Sequence, residues 1–193
     1  NFCTTDFLFG IARRDGSFVI RQHASTLHWE FVGERRACGR VETGKVFECD
    51  PFGSKAAVAR PAMGVFKHEA CAVDPVGKKV YLTEDLGDGC LYRFSPDRYP
   101  DLSSGVLEVA TVADDGQLGW VPLPDPQFTG VTPTRMQVPD AEKFRRGEGM
   151  WFGQGEVYFT CASGGRTQCG QIWKLVPGGT SGTDRLILFS EPN

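Results

Sequence analysis

Residues 66–85 read FKHEACAVDPVGKKVYLTED, and the way this stretch folds decides the class of the chain. At its centre Asp74-Pro75-Val76-Gly77 is a turn signal, with proline presetting one backbone angle and glycine supplying freedom. The arms on either side, HEACAV and KKVYLT, are short runs rich in β-branched and aromatic residues, which is strand chemistry. Closed as a regular antiparallel hairpin, the arms set Glu69 roughly opposite Glu84, beside Asp85. Like charges facing each other across a ladder destabilise it. The hairpin therefore asks what offsets them.

Outward from the hairpin, its Val-Tyr arm is one of several related segments: GKVFECDP (44–51), KKVYLTED (78–85), CLYRFSPD (90–97), GEVYFTCA (155–162) and GQIWKLVP (170–177). Each carries an aliphatic–aromatic pair, and an internal repeat of this kind governs the whole fold reading. Two longer units align, HEACAVDPVGKKVYLTEDLGDGCLYRFSPD and GEGMWFGQGEVYFTCASGGRTQCGQIWKLVPG. Behind the first, GVLEVATV (105–112) supplies a fourth strand, and behind the second DRLILFSE (184–191) does the same. Four antiparallel strands repeated in this way describe a β-propeller blade. The 24 glycines and 12 prolines supply the turns such a chain needs, and no long amphipathic helix is evident.

The expectation is an all-β chain forming a partial β-propeller of about two to three four-stranded antiparallel blades. Residues 44–193 carry the repeat, with GKVFECDP as the third strand of an earlier blade. The proline-rich span 121–139 reads as a connector between units. Residues 1–43 fit the repeat poorly, although SFVIRQ is strand-like. Tyr81, Tyr92, Tyr158 and Trp173 are expected to pack between blades rather than to meet a ligand. Propellers close with about 4 to 8 blades, so the count here implies self-association or further blades from a longer chain.

Composition narrows the function. At 193 residues, 40% hydrophobic and 23% charged, the chain is long and apolar enough for one domain with a real core. A net charge of −3 with no basic run argues against nucleic acid as a partner. No apolar stretch approaches the roughly 20 residues of a membrane span. NFCTTDFLFG has neither the basic start nor the long apolar run of a signal peptide. The seven cysteines form no CxxC pair, so the usual zinc site is not indicated. Most read as small buried residues, and a pairing of Cys161 with Cys169 across a loop stays open.

In a blade the first strand starts, and the second ends, at the same rim. A hard cation between Glu69, Glu84 and Asp85 would turn their repulsion into attraction, and calcium takes 6 to 8 oxygen ligands. Glu148 holds the place of Glu69 in the second unit, where the opposing end is Thr160-Cys161-Ala162 and the acidic pair is not repeated. If both blades face one channel, these carboxylates surround a single polar cavity able to hold metal ions and a phosphate ester. The competing reading is a solvated rim, with Lys67 and Arg145-Arg146 balancing local charge and His68 serving only as a turn residue.

At these residues the chain resembles the PhoX-type alkaline phosphatase family. Bacterial members show Phe-x-His-Glu-Ala/Gly, then Val-Tyr-x-Thr-Glu-Asp, then Leu-Tyr-Arg-Phe-x-Pro, all present in VFKHEACAVDPVGKKVYLTEDLGDGCLYRFSPD. GKVFECDP, FRRGEGMWFGQGEVYFTCASGG and GQIWKLVP match further family segments, so the resemblance covers about residues 44–193. It implies a six-bladed propeller, hydrolysis of a small phosphate ester, a cluster of calcium and iron ions, and export to the periplasm or the extracellular space. Glu69 and Glu148 match metal-ligand glutamates of the family. Glu84-Asp85 falls where a further ligand lies, Asp85 being the better match and Glu84 an outer candidate.

The family's upstream segment, with an iron-binding thiolate and a further glutamate, has no counterpart here, and neither Cys3 nor Cys38 is given that role. The downstream acidic ligand is expected past Asn193. The sequence thus reads as the middle part of a family member, and on its own is expected to turn over little or no phosphate ester. Two alternatives remain beside a metal-dependent phosphatase: a noncatalytic calcium-stabilised propeller that binds, and a lactonase-like propeller hydrolase. No side-chain nucleophile is identified.

Overall fold

The computed structural model of the chain describes residues 19–22, 44–49, 58–179 and 182–192. Described regular structure is almost entirely strand, with only short 3₁₀ turns such as Pro61–Met63 and Thr134–Met136. The fold is all-β, as the pattern predicts. No described helix is long and apolar enough to cross a membrane.

The strands form three antiparallel sheets. The first joins β1 (Val19–Gln22), β2 (Val46–Cys49) and β3 (Val58–Ala59), with β2 in the middle. The second runs in chain order through β4 (His68–Asp74), β5 (Lys79–Glu84), β6 (Leu91–Arg98), β7 (Asp101–Val112) and β8 (Leu118–Pro122). The third is a meander of β9 (Gly147–Gly153), β10 (Glu156–Cys161), β11 (Gln171–Val176) and β12 (Arg185–Ser190). The described sheets are open; none closes on itself. SFVIRQ contributes β1, and most of residues 1–43 lie outside the described residues.

The turn that opened the reading forms as expected: Asp74 Oδ1 accepts from the backbone N–H groups of Val76 and Gly77, both at 2.9 Å. One expectation needs correcting. The second sheet has five strands, not four, because β7 runs on through a turn at Gly116 (φ 81°) into β8. Leu118–Pro122 thus takes the start of the presumed connector into the ladder, and Pro122, with no N–H to donate, ends it at the sheet edge.

The two units carry the same sidedness. Val80, Leu82, Tyr92 and Phe94 face a core closed by Val46 of β2, Met63, Phe66, the connector residue Val138 and Ala141 just past it. Their counterparts Val157, Phe159, Trp173 and Leu175 face a second core, against Ala72, Tyr81, Leu91 and Ala110 of the five-stranded sheet. Each aromatic or large aliphatic side chain taken out of water here stabilises the fold by roughly 1.5–3 kcal/mol. The middle sheet is therefore covered on both faces. The far face of the third sheet leaves Trp151, Ile172, Ile187 and Phe189 exposed. Of the four aromatics expected to pack, Tyr81 and Tyr92 are buried and Trp173 packs against the second core, while Tyr158 lies half-buried on the outward face.

Candidate functional site

Both first hairpins break register at the same place. In the first, Cys71 pairs with Leu82 but His68 pairs with Glu84, so Glu69-Ala70 stands opposite Thr83 alone. In the third sheet, Met150 pairs with Phe159 but Gly147 pairs with Cys161, so Glu148-Gly149 stands opposite Thr160 alone. Each is a β-bulge, two residues against one, and bulges bend a strand and re-aim a side chain. The glutamate is the first bulge residue in both units.

The bulge corrects the expected register. A regular ladder continued from Asp74↔Lys79 would set Glu69 against Glu84; the extra residue sets His68 there instead. Glu84, expected as an outer ligand, lies with the first core. It is 0% exposed. Its Oε2 accepts from Tyr92 Oη at 2.7 Å and from Cys90 N at 3.2 Å. Arg135 lies 3.8 Å from its other oxygen. His68 is no turn residue either: it is buried, packed against Phe66 with ring centroids 3.6 Å apart and the planes tilted by 33°, and its Nε2 donates to Gly64 O at 3.2 Å. Burial holds its pKa down at about 4, against a raising contribution from that hydrogen bond, so the ring is neutral.

Glu69, Asp85 and Glu148 form a group of their own at the rim where β4, β5 and β9 meet. Asp85 accepts from Lys67 Nζ at 2.6 Å and from Arg146 Nε at 2.8 Å, and Arg146 also stands 3.7 Å from Glu148. Glu69 is 7% exposed. Burial, then the charges of Glu148 and Asp85, push its carboxyl up to about 7, against the pull of Lys67 and Arg146. Burial and Asp85 also raise Glu148. Burial works against ionising Asp85 too, but hydrogen bonds from Arg146 and Lys67 outweigh it and hold that carboxyl below its ordinary range. Lys67 and Arg146 thus bring two positive charges to three carboxylates, with Arg146 reaching both Asp85 and Glu148.

The donor chemistry suits a hard cation: three carboxylates, two with raised proton affinity, converge from two sheets, and oxygen ligands of this kind take calcium. Among the described residues no three His, Cys, Asp or Glu side chains stand close enough together, as they are, to hold a metal ion. Nor, among the described residues, does a cysteine join the three carboxylates at this rim. Cys90 and Cys161 are buried in the two cores, and burial pushes their thiols up to about 11 and about 12 respectively. Cys161 and Cys169 are both free, so the disulfide left open by their spacing is absent. Cys3 and Cys38 lie outside the described residues.

The residue that sequence reasoning missed is Thr83. Its signal was present: the repeat reads Val-Tyr-Leu-Thr in one unit and Val-Tyr-Phe-Thr in the other. A family model described as alkaline phosphatase PhoX matches residues 31–191, starting upstream of Gly44. No curated protein matches the chain.

Proposed function

The chain belongs to the alkaline phosphatase PhoX family, and from that premise we propose that Glu69, Asp85 and Glu148 hold a divalent cation, calcium for preference, in a centre that hydrolyses small phosphate monoesters. The observation that carries this reading is the convergence of the three carboxylates on a rim where Lys67 and Arg146 leave negative charge uncompensated. A cation bound there would neutralise charge on phosphate oxygens as transfer proceeds. The protein's own part is to fix the donors. Lys67 and Arg146 keep Asp85 ionised. Arg146, with its side chain 50% exposed, also presents a guanidinium to the solvent side of the rim, where it can meet a phosphate oxygen. Alkaline conditions suit the site for a physical reason: above about 7 Glu69 is ionised, and all three carboxylates then seek a cation.

In this reading the rim faces a propeller channel, and the setting is exported, where calcium modules work at relatively high free calcium. The test combines calcium titration with turnover of an aryl phosphate at alkaline pH, with and without chelator. Calcium binding that weakens in both Glu69→Gln and Glu148→Gln, and any turnover lost to chelator, support the proposal. Calcium affinity unchanged in both variants, or turnover that survives the chelator, defeats it. Hydrolysis of a lactone with no action on the phosphate ester would transfer the site to lactonase chemistry.

A further inference from the structure

Thr83 occupies the single-residue side of the bulge that aims Glu69, and it is 1% exposed. Its Oγ1 accepts from Ala70 N, the second bulge residue, at 3.0 Å. The same hydroxyl donates to the backbone carbonyl of Glu148 at 2.8 Å, crossing from the middle sheet to the third. One hydroxyl therefore fastens both glutamate-bearing bulges to each other. The approach is close because residue 147 is glycine: a Cβ there would stand 3.0 Å from Thr83 Cβ and 3.1 Å from the Glu84 carbonyl oxygen. Thr160, the counterpart in the third sheet, plugs its own bulge with only a long 3.4 Å contact to Gly149 O. Of the two threonines, Thr83 alone has the neighbouring glutamate strand to reach.

We propose that Thr83 is a positioning residue of the cation site, its hydroxyl setting the separation between Glu69 and Glu148. The proposal rests on the reading of that site given above. A threonine in this place has two separable properties, a hydroxyl and a branched shape. Thr83→Ser keeps the hydroxyl and loses the methyl; Thr83→Val keeps the shape and loses the hydroxyl; Thr83→Ala loses both. Groups that orient metal ligands from behind typically cost about 10–100-fold in metal affinity when removed.

Calorimetric titration of the chain with calcium chloride at alkaline pH, well below the melting temperature of every variant, separates the possibilities. The expected result is Thr83→Ser near wild type, with Thr83→Val and Thr83→Ala both weakened by roughly 10-fold or more. If Thr83 acts only by packing, the order reverses: Thr83→Val binds like wild type, while Thr83→Ser and Thr83→Ala lose affinity. That order, or equal affinity in all variants, overturns the assignment. Should the buried valine prevent folding, the serine–alanine pair decides, since equal calcium affinity in those two removes the role of the hydroxyl. A wild-type chain that binds no calcium is a different failure, of the cation site itself, and Thr83 then has nothing to position.

Discussion

Glu69 and Glu84 are the same side chain on neighbouring strands, and the molecule uses them for opposite ends. Glu84 is enclosed, one of its oxygens held by Tyr92 Oη and Cys90 N, whereas Glu69 stands beside two other carboxylates with its acidity suppressed. Replacing Glu84 with leucine should leave the buried Tyr92 hydroxyl without its acceptor and cost about 1–3 kcal/mol of stability. Calcium affinity should stay near wild type. Glu69→Gln should do the reverse, and a variant pair in which both properties move together would show that Glu84 belongs to the cation site after all. The metal-free chain also carries a pH signature. Glu69 titrates at about 7 when folded against an ordinary 4.5, so the folded state holds the proton more tightly. Stability from that difference is full below the lower value and is lost as pH rises through the higher one. His68, held at about 4 when folded, works in the opposite direction as pH climbs towards its ordinary 6.5, so the test is a comparison. The wild-type urea midpoint should fall relative to that of Glu69→Gln between about pH 5 and pH 7.5, and a gap between the two that does not change over that window would contradict the assigned shift. At this scale the sequence shows which carboxylates recur, Glu69 and Glu148. It does not show where they point, because a bulge is a property of the paired ladder and Thr83 reveals itself only once opposite two residues.

At the scale of strands, the repeat is legible because its period-2 faces are chemical. Val-x-Leu and Tyr-x-Phe in β5 and β6 recur as Val-x-Phe and Trp-x-Leu in β10 and β11, and each set faces the preceding layer. The alternate set, Tyr81 and Arg93 against Tyr158 and Lys174, is where the two units part company. Tyr81 is covered by the third sheet, whereas Tyr158 lies half-buried on the outward face, its hydroxyl bonded to Glu156 at 2.6 Å and its ring in a T-shaped pair with Phe189. Tyr81→Ala should accordingly cost about 3–5 kcal/mol, in the range of large buried aromatics. Tyr158→Ala should cost well under half of that. Similar costs at the two positions would mean that the outward face is covered in solution. What could not be read was β8. Nothing in LGWVP separates an edge strand from the start of a proline-rich connector, and the pairing is decided by β7 being long enough to fold back on.

At the scale of the whole molecule, the middle and third sheets are joined at both ends, and the candidate site sits on one of the joints. At the outer end, Leu118 N donates to Asp184 O and Leu186 N to Gly116 O, each at 2.8 Å. There the Asp184 carboxylate also accepts from Arg93 Nη1 at 3.0 Å, Trp120 Nε1 at 2.8 Å and Gly178 N at 2.8 Å. At the rim the joint is Thr83 to Glu148 O, together with Arg146 between Asp85 and Glu148. Like charges from two sheets meet at this second joint, so without a cation their repulsion works against the bonds that Thr83 and Arg146 make there. Asp184→Ala should then be destabilising by at least the ~1.5–3 kcal/mol of a charged hydrogen bond. Calcium should recover much of that loss, because an ion gripping Glu69 and Glu148 ties the same two sheets. Linkage sets the scale at about 2.7 kcal/mol when free calcium is 100 times its dissociation constant. Thermal unfolding of wild type and Asp184→Ala across a calcium series measures this directly, with Glu69→Gln as the variant in which the gain should shrink. A melting temperature indifferent to calcium in all three would mean that the rim carboxylates are merely solvated, and the phosphatase chemistry assigned to them would lose its physical basis.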